Sequence, residues 1–272
     1  MSHRIFRDDA ETKGFIMKPR LSLEQIHFSI PGRERAILEN VSLEIYPNDF
    51  VILLGSNGSG KSSLLKVING LSSPTSGRIS LSGNDITQQP IHQRAQSIIT
   101  LTQDLNLSTF SQLTILENCL IALYRNRRTS LAMSVKKQRE EIEKYLGNYS
   151  AKLALALDEP VISLSGGERQ TLALAMSLYE LPSLLLLDEH TSALDPAMAN
   201  KLMRLTAENA QSREITTLMT THNLEDALAY GNRLIVMRHG RLMHDFRGLD
   251  KAALTHADLL SFYKVELIKT NN

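Results

Sequence analysis

The chain has 272 residues, 42% of them apolar and 22% charged, with 30 basic and 29 acidic side chains and a formal charge of +1. That is a globular mixture long enough for one large or two small cores, and it lacks the basic excess that a nucleic-acid partner usually requires, so none is expected. One cysteine, Cys119, excludes an internal disulfide and a cysteine-built zinc site, and apolar runs such as FVILLG and LPSLLLLD fall far short of the roughly 18–20 residues that span a bilayer, which predicts a soluble chain.

The start, MSHRIFRDDAETKGFIMKPR, scatters its charges and has no apolar stretch of the kind found in secretory signals. Residues 1–20 are therefore expected to be a tail, with one domain over 21–272. LSLEQIHFSI and ILENVSLEIYP alternate apolar with polar residues around a PGRER turn, the pattern of half-buried strands in an antiparallel β layer. FVILLG, a continuous apolar run bounded by Asp49 and Gly55, reads as a strand buried on both faces, as in a parallel sheet. KSSLLKVINGL follows with helical spacing and a glycine stop. GRISLSG, LLLLD, ITTLMTT and RLIVMRHGRL are read as further strands, interspersed with helices over GGERQTLALAMSLYE, PAMANKLMRLTAENAQ and NLEDALAYG. This alternation predicts an α/β core of mainly parallel sheet. Between Leu113 and Leu181 strand-like runs give way to helical periodicity in TILENCLIALYRN and VKKQREEIEKYLGNYSAKLAL, so a helical subdomain is expected to be inserted over residues 104–180.

Gly55 to Ser62 reads GSNGSGKS, the full G-x-x-x-x-G-K-[ST] spacing, and it sits between a buried strand and a helix as a P-loop requires. Gly55, Gly58 and Gly60 leave no side chain in the way, so that backbone N–H groups around Ser56, Asn57 and Ser59 turn toward a phosphate. The following helix, beginning with Lys61, Ser62 and Ser63, presents its positive N-terminal end. Lys61 adds a cation for the outer phosphates and Ser62 a hydroxyl for Mg²⁺, and the implied ligand is a nucleoside triphosphate. In P-loop enzymes a second buried strand brings an acid to the magnesium, and LLLLDE supplies both strand and acid. Asp188 is the expected Mg²⁺ partner, and Glu189, one residue on, the general base for an attacking water. Read alone, two acids after an apolar run also suit a helix start.

Together these residues resemble the nucleotide-binding subunits of ATP-binding cassette (ABC) transporters, over nearly the whole chain after the first twenty residues. The most specific element is LSGGERQ, Leu164 to Gln170, the signature that separates this family from other P-loop ATPases. The resemblance makes Gln103 in TLTQDLN the Q-loop glutamine, beside ATP and its Mg²⁺; Ser192, Ala193, Leu194 and Asp195 the D-loop; and His222 in TTHN the switch histidine against the γ-phosphate. It also implies that two copies pair head to tail, each ATP lying between one P-loop and Ser165, Gly166, Gly167 and Glu168 of the other copy. The residues themselves agree: Ser165 and two glycines ahead of a long amphipathic helix form a second anion-suited helix start, one more than a single triphosphate needs.

Where the family usually stacks an aromatic residue on adenine, the count along QIHFSIPG falls on Ile30, with Phe28 two residues earlier on the same strand face. The resemblance places the helical insert against an integral membrane permease, and the basic stretch YRNRRTSLAMSVKKQRE suits either a permease loop and lipid head groups or a solvated face. A separate cassette resembles importers more than exporters, in particular a group working with a branched-chain-amino-acid-type permease and an extracytoplasmic solute-binding protein, with tryptophan or tyrosine as the suggested solute. The expected location is the cytoplasmic face of the plasma membrane, held peripherally. Non-transport cassette ATPases of translation or DNA maintenance are the alternative, disfavoured by a single continuous cassette without an intervening coiled coil. His190, after the two acids, is left without a required part and is expected to keep the turn into TSALD in shape or to hydrogen-bond near Glu189.

Overall fold

The computed structural model describes residues 17–32, 35–124 and 135–264. The expected tail up to residue 16 and residues 125–134 of the basic stretch lie outside the described residues. In chain order the elements are strands β1 (Leu21–Phe28), β2 (Leu38–Ile45) and β3 (Phe50–Leu54), helix α1 (Lys61–Asn69), strands β4 (Ser76–Leu81) and β5 (Asn84–Asp85), the short helix α2 (Ile91–Arg94) and strand β6 (Ile98–Leu101). Helices α3 (Ile115–Tyr124), α4 (Val135–Gly147), α5 (Ala151–Leu155) and α6 (Gly166–Leu178) follow. Strand β7 (Leu184–Asp188), helix α7 (Pro196–Ser212), strand β8 (Thr217–Thr221), helix α8 (Leu224–Ala229), strands β9 (Arg233–Arg238) and β10 (Arg241–Arg247), and helices α9 (Gly248–Ala252) and α10 (His256–Lys264) complete the described residues.

Two sheets result. A four-stranded antiparallel layer has the order β2-β1-β4-β5, and a six-stranded sheet the order β10-β9-β3-β8-β7-β6, parallel throughout except for the β9–β10 hairpin. The apolar runs explain the second sheet. All five residues of β3 are buried, and they divide by parity. Val51 and Leu53 join the core against α1 and the antiparallel layer, whereas Phe50, Ile52 and Leu54 join the core under α6, α7 and α8. Strand β7 divides in the same way, Leu184 and Leu186 to one side and Leu185 and Leu187 to the other. A leucine removed from water contributes about 1.5–3 kcal/mol, so four in a row seat this strand firmly between two layers. A third apolar cluster gathers α3, α4, α5 and one flank of α6 around Ile115, Cys119, Ile142, Leu146 and Leu153.

Two sequence expectations change and one strand is added. GRISLSG forms β4, but it pairs antiparallel with β1 in the first layer rather than joining the α/β core. RLIVMRHGRL is not one strand: it folds back at His239 and Gly240, both at positive φ (45° and 75°), into the β9–β10 hairpin. A side chain at Gly240 would place its Cβ 2.3 Å from the Ile37 carbonyl oxygen, so glycine is required there. Strand β6, from SIITLT, was not anticipated at all; its partner is β7, far away in sequence.

Candidate functional site

Parallel strands deliver their carboxyl ends to one edge, and the segments following β3, β6, β7 and β8 meet there. Strand β8 lies between β3 and β7, with Thr221 in register with Leu54 and Thr220 in register with Asp188. Gly60 starts α1 at φ 109°, a conformation suited to glycine, and no side chain caps that helix. Lys61, only 4% exposed, is the buried cation of the loop. Its ammonium donates to the Gly55 and Ser56 carbonyl oxygens at 2.8 and 3.2 Å and lies 3.2 Å from Glu189 Oε1. A buried ammonium needs such partners to offset its lost hydration.

The two acids are held differently. Asp188 Oδ1 accepts from Ser62 Oγ at 3.0 Å and from Thr220 Oγ1 at 2.8 Å, which ties the P-loop helix to the end of β7. Glu189 lies between two basic groups, Lys61 on Oε1 and His222 Nδ1 at 2.9 Å on Oε2. Its backbone is left-handed, φ 45°, unusual for a residue with a side chain. That turn is pinned on both sides: the Glu189 N–H donates to Thr220 Oγ1 at 3.2 Å, and its carbonyl accepts from Ser192 N and Oγ at 3.0 and 2.8 Å. A carboxylate held beside an ammonium and an imidazole can accept a proton from a water, while a hydroxyl and a carboxylate in contact form an oxygen donor pair of the kind magnesium prefers.

A cavity of about 1320 Å³ opens over these groups, lined by Asn57, Gly58, Gly60 to Ser63, Gln103, Asp188 and Glu189. Its other wall was not anticipated: Arg35, Ala36 and Ile37 from the β1–β2 connection, Glu39 of β2, and Arg238 to Arg241 with Met243 from the β9–β10 hairpin. Arg241 donates to Glu39 Oε2 at 2.9 Å across this wall. The sequence signal that was available is the His-Gly pair, which marks a turn but not what the turn faces. Ile30, the residue expected against the base, is 41% exposed and is not among the lining residues, where Ile37 and Met243 supply apolar surface.

The signature residues lie elsewhere: Ser165, Gly166, Gly167 and Glu168 do not line this cavity. Ser165 caps α6 in a closed capping box, its Oγ accepting from the Glu168 N–H at 3.4 Å while Glu168 Oε2 accepts from the Ser165 N–H at 3.0 Å. Lys152 lies 2.6 Å from Glu168 Oε1, and this bond, followed by the Ser165 N–H, holds the Glu168 carboxyl below its ordinary range. Arg169 connects α6 to the segment after Gln103 by donating to Thr109 Oγ1 at 2.8 Å and Asn106 Oδ1 at 3.0 Å.

In the expected D-loop, Ser192 holds the Glu189 carbonyl, Ala193 completes the turn, Leu194 packs on the core under α7, and Asp195 caps that helix through the Met198 N–H at 3.1 Å. The hydrogen bond expected of His190 near Glu189 is not formed. The histidine ring is buried, with Nε2 3.1 Å from Thr206 Oγ1 in the middle of α7, and no hydrogen bond runs from it to the Glu189 carboxylate. Burial pushes its imidazole down to about 4, so it is neutral at pH 7. Burial likewise pushes the Cys119 thiol up to about 12, which leaves it unreactive. Among the described residues, no group of three or more His, Cys, Asp or Glu side chains is arranged to hold a metal, and no helix is long and apolar enough to cross a membrane.

Comparison with known proteins gives consistent matches. The family model described as "ABC transporter" matches residues 38–192. A tyrosine transport ATP-binding protein of Clostridioides difficile (strain R20291) is 38% identical over 247 residues, covering 90% of this chain and 98% of the relative. The thiamine import ATP-binding protein ThiQ of Yersinia pseudotuberculosis serotype I (strain IP32953) is 38% identical over 203 residues, 75% of this chain and 81% of that one. Among solved structures, the dimeric post-hydrolysis state of the ATP-binding cassette MJ0796 with ADP and Pi superposes with a TM-score of 0.72 at 26% identity, over 84% of this chain and 98% of that chain. The cbiO1 protein of Clostridium perfringens shares the fold, with a TM-score of 0.74 at 24% identity over 93% and 97% of the two chains.

Proposed function

The chain belongs to the ABC transporter family, an ATP-binding subunit that hydrolyses ATP to energise solute import, and on that premise we propose how its residues divide the work. The P-loop residues Gly55 to Ser63 hold the phosphates. Ser62, Asp188 and Gln103 hold Mg²⁺, which when bound neutralises charge on the outer phosphates. The residues fit this ion, since a serine hydroxyl and an aspartate carboxylate already meet at 3.0 Å and both are hard oxygen donors. Glu189 takes the proton of the attacking water, and His222, 2.9 Å from it, orients that water and the carboxylate.

One observation carries this reading: Glu189 stands between Lys61 and His222, one residue from the aspartate that is tied to the P-loop serine. The location of Ser165 away from the cavity supports a composite site, in which a second copy, paired head to tail, brings its Ser165, Gly166, Gly167 and Glu168 to the first copy's ATP. Residues 21–272 act as one ATPase domain, and the helical part over 104–180 meets an integral membrane permease of the branched-chain-amino-acid type at the cytoplasmic face. An extracytoplasmic binding protein delivers the solute. The likeness to a tyrosine transport protein along almost its full length supports an aromatic amino acid as cargo.

The test is Glu189→Gln. Hydrolysis should fall by about 10²–10⁴-fold, the range for loss of a positioned general base, while ATP binding and ATP-driven dimerisation persist. Undiminished turnover would remove Glu189 from the role.

A further inference from the structure

His190 follows the proposed base, yet its side chain points away from the chemistry and into the core. Thr206 is fully buried and donates its own hydroxyl hydrogen to the Leu202 carbonyl at 2.9 Å, so toward the histidine it offers only its oxygen. The imidazole must therefore carry its hydrogen on Nε2 and donate it to Thr206 Oγ1. A buried polar pair of this kind is directional, which an apolar contact of equal volume would not be. It joins the turn after β7 to the middle of α7. One helical turn further on, Asn209 Oδ1 accepts from Tyr149 Oη at 2.9 Å, so α7 is anchored at the next turn as well.

The left-handed backbone of Glu189 lies between two such anchors. On its amino side the Glu189 N–H is held by Thr220 of β8, and on its carboxyl side the next residue is held by Thr206 of α7. We propose that His190 is a positioning residue for ATP hydrolysis: its bond to Thr206 fixes the turn at Glu189 and thereby aims the carboxylate between Lys61 and His222. The inference rests on the reading of Glu189 as the base. A structural histidine would affect only folding; a positioning histidine affects kcat in protein that remains folded and still binds nucleotide.

The experiment measures ATPase kcat, nucleotide affinity and melting temperature for the whole chain carrying His190→Leu, His190→Gln, Thr206→Val, the pair His190→Leu with Thr206→Val, and Glu189→Gln. Loss of the bond should lower kcat about tenfold in His190→Leu and in Thr206→Val, with nucleotide affinity unchanged. The pair should be no worse than either single change, and His190→Gln, whose amide reaches a similar position, should recover most of the rate. Should His190→Leu fail to fold, Thr206→Val removes the same bond without changing shape and carries the test. Wild-type kcat in Thr206→Val, or kcat and affinity falling together with no recovery in His190→Gln, overturns the inference while leaving the base in place. Full turnover in Glu189→Gln overturns both.

Discussion

Two helix starts in this molecule look alike in sequence, glycine and serine ahead of an amphipathic run, and differ in how they end. Helix α1 begins at Gly60 without any side-chain cap, and its lysine, hydroxyl and neighbouring acids all face one cavity. Helix α6 begins at Ser165 with its capping box closed by Glu168, braced by Lys152, away from that cavity. The first is a site assembled by the sheet around an open helix end. The second has its own internal partners, with Ser165 and Gly166 exposed and Gly167 buried behind them. The same local rule, a positive helix end, thus faces a cavity of its own chain in one place and lies away from it in the other.

Substitutions can break that contrast. Ser165→Arg should abolish the contribution of the second start: hydrolysis falls by about 10²–10³-fold, the scale for removing a preorganised donor, with ATP still bound at the P-loop of the same chain. Normal hydrolysis in that variant would mean that α6 has no part in the reaction. Lys61→Ala acts on the first start and should weaken nucleotide binding by roughly 10- to 100-fold, as expected for losing a charged hydrogen-bond partner, and equilibrium titration with ATP measures it. Unaltered affinity would dissolve the distinction between the two helix ends.

Smaller effects sharpen it. Glu168→Ala opens the capping box and should cost about 0.5–1.5 kcal/mol, the net worth of one hydrogen bond, read as a lower melting temperature, whereas no side-chain cap exists at α1 to lose. The same carboxyl sets the sign of a mild pH effect. Lys152 and the Ser165 N–H hold it below its ordinary value in the folded chain, so its contribution is present above about pH 4.5 and is lost as pH falls further. The start of α6 should therefore fray in acid before α1 does, and amide hydrogen exchange at Gly167 and Glu168 would register the order.

Much of this was legible in the residues. The P-loop spacing, the apolar run ending in Asp188 and Glu189, and the serine-to-glutamate capping interval are all local patterns, and a local pattern is read without knowing what lies opposite. Where a neighbour comes from far along the chain, the local pattern does not specify it. GRISLSG has the same alternation whether it joins one sheet or the other, and only its pairing with β1 decided between them. RLIVMRHGRL shows a turn pair but not that the folded hairpin would wall the cavity opposite Lys61. The count along QIHFSIPG falls on Ile30, and it does not record that the path of the connection brings Ile37 to the cavity wall.

His190 is the sharpest case. By itself the sequence determined the chemistry of this protein: the glycines, the lysine, the hydroxyl and the acids of a nucleotide site, because their roles depend on spacing of a few residues along one strand, one loop and one helix. Only the tertiary structure decided that the histidine beside Glu189 turns inward to Thr206, sixteen positions later, and that the second helix start lies outside the first one's cavity. Both are matters of which surfaces meet when the apolar faces of the sheet are covered, and periodicity along the chain does not record that choice.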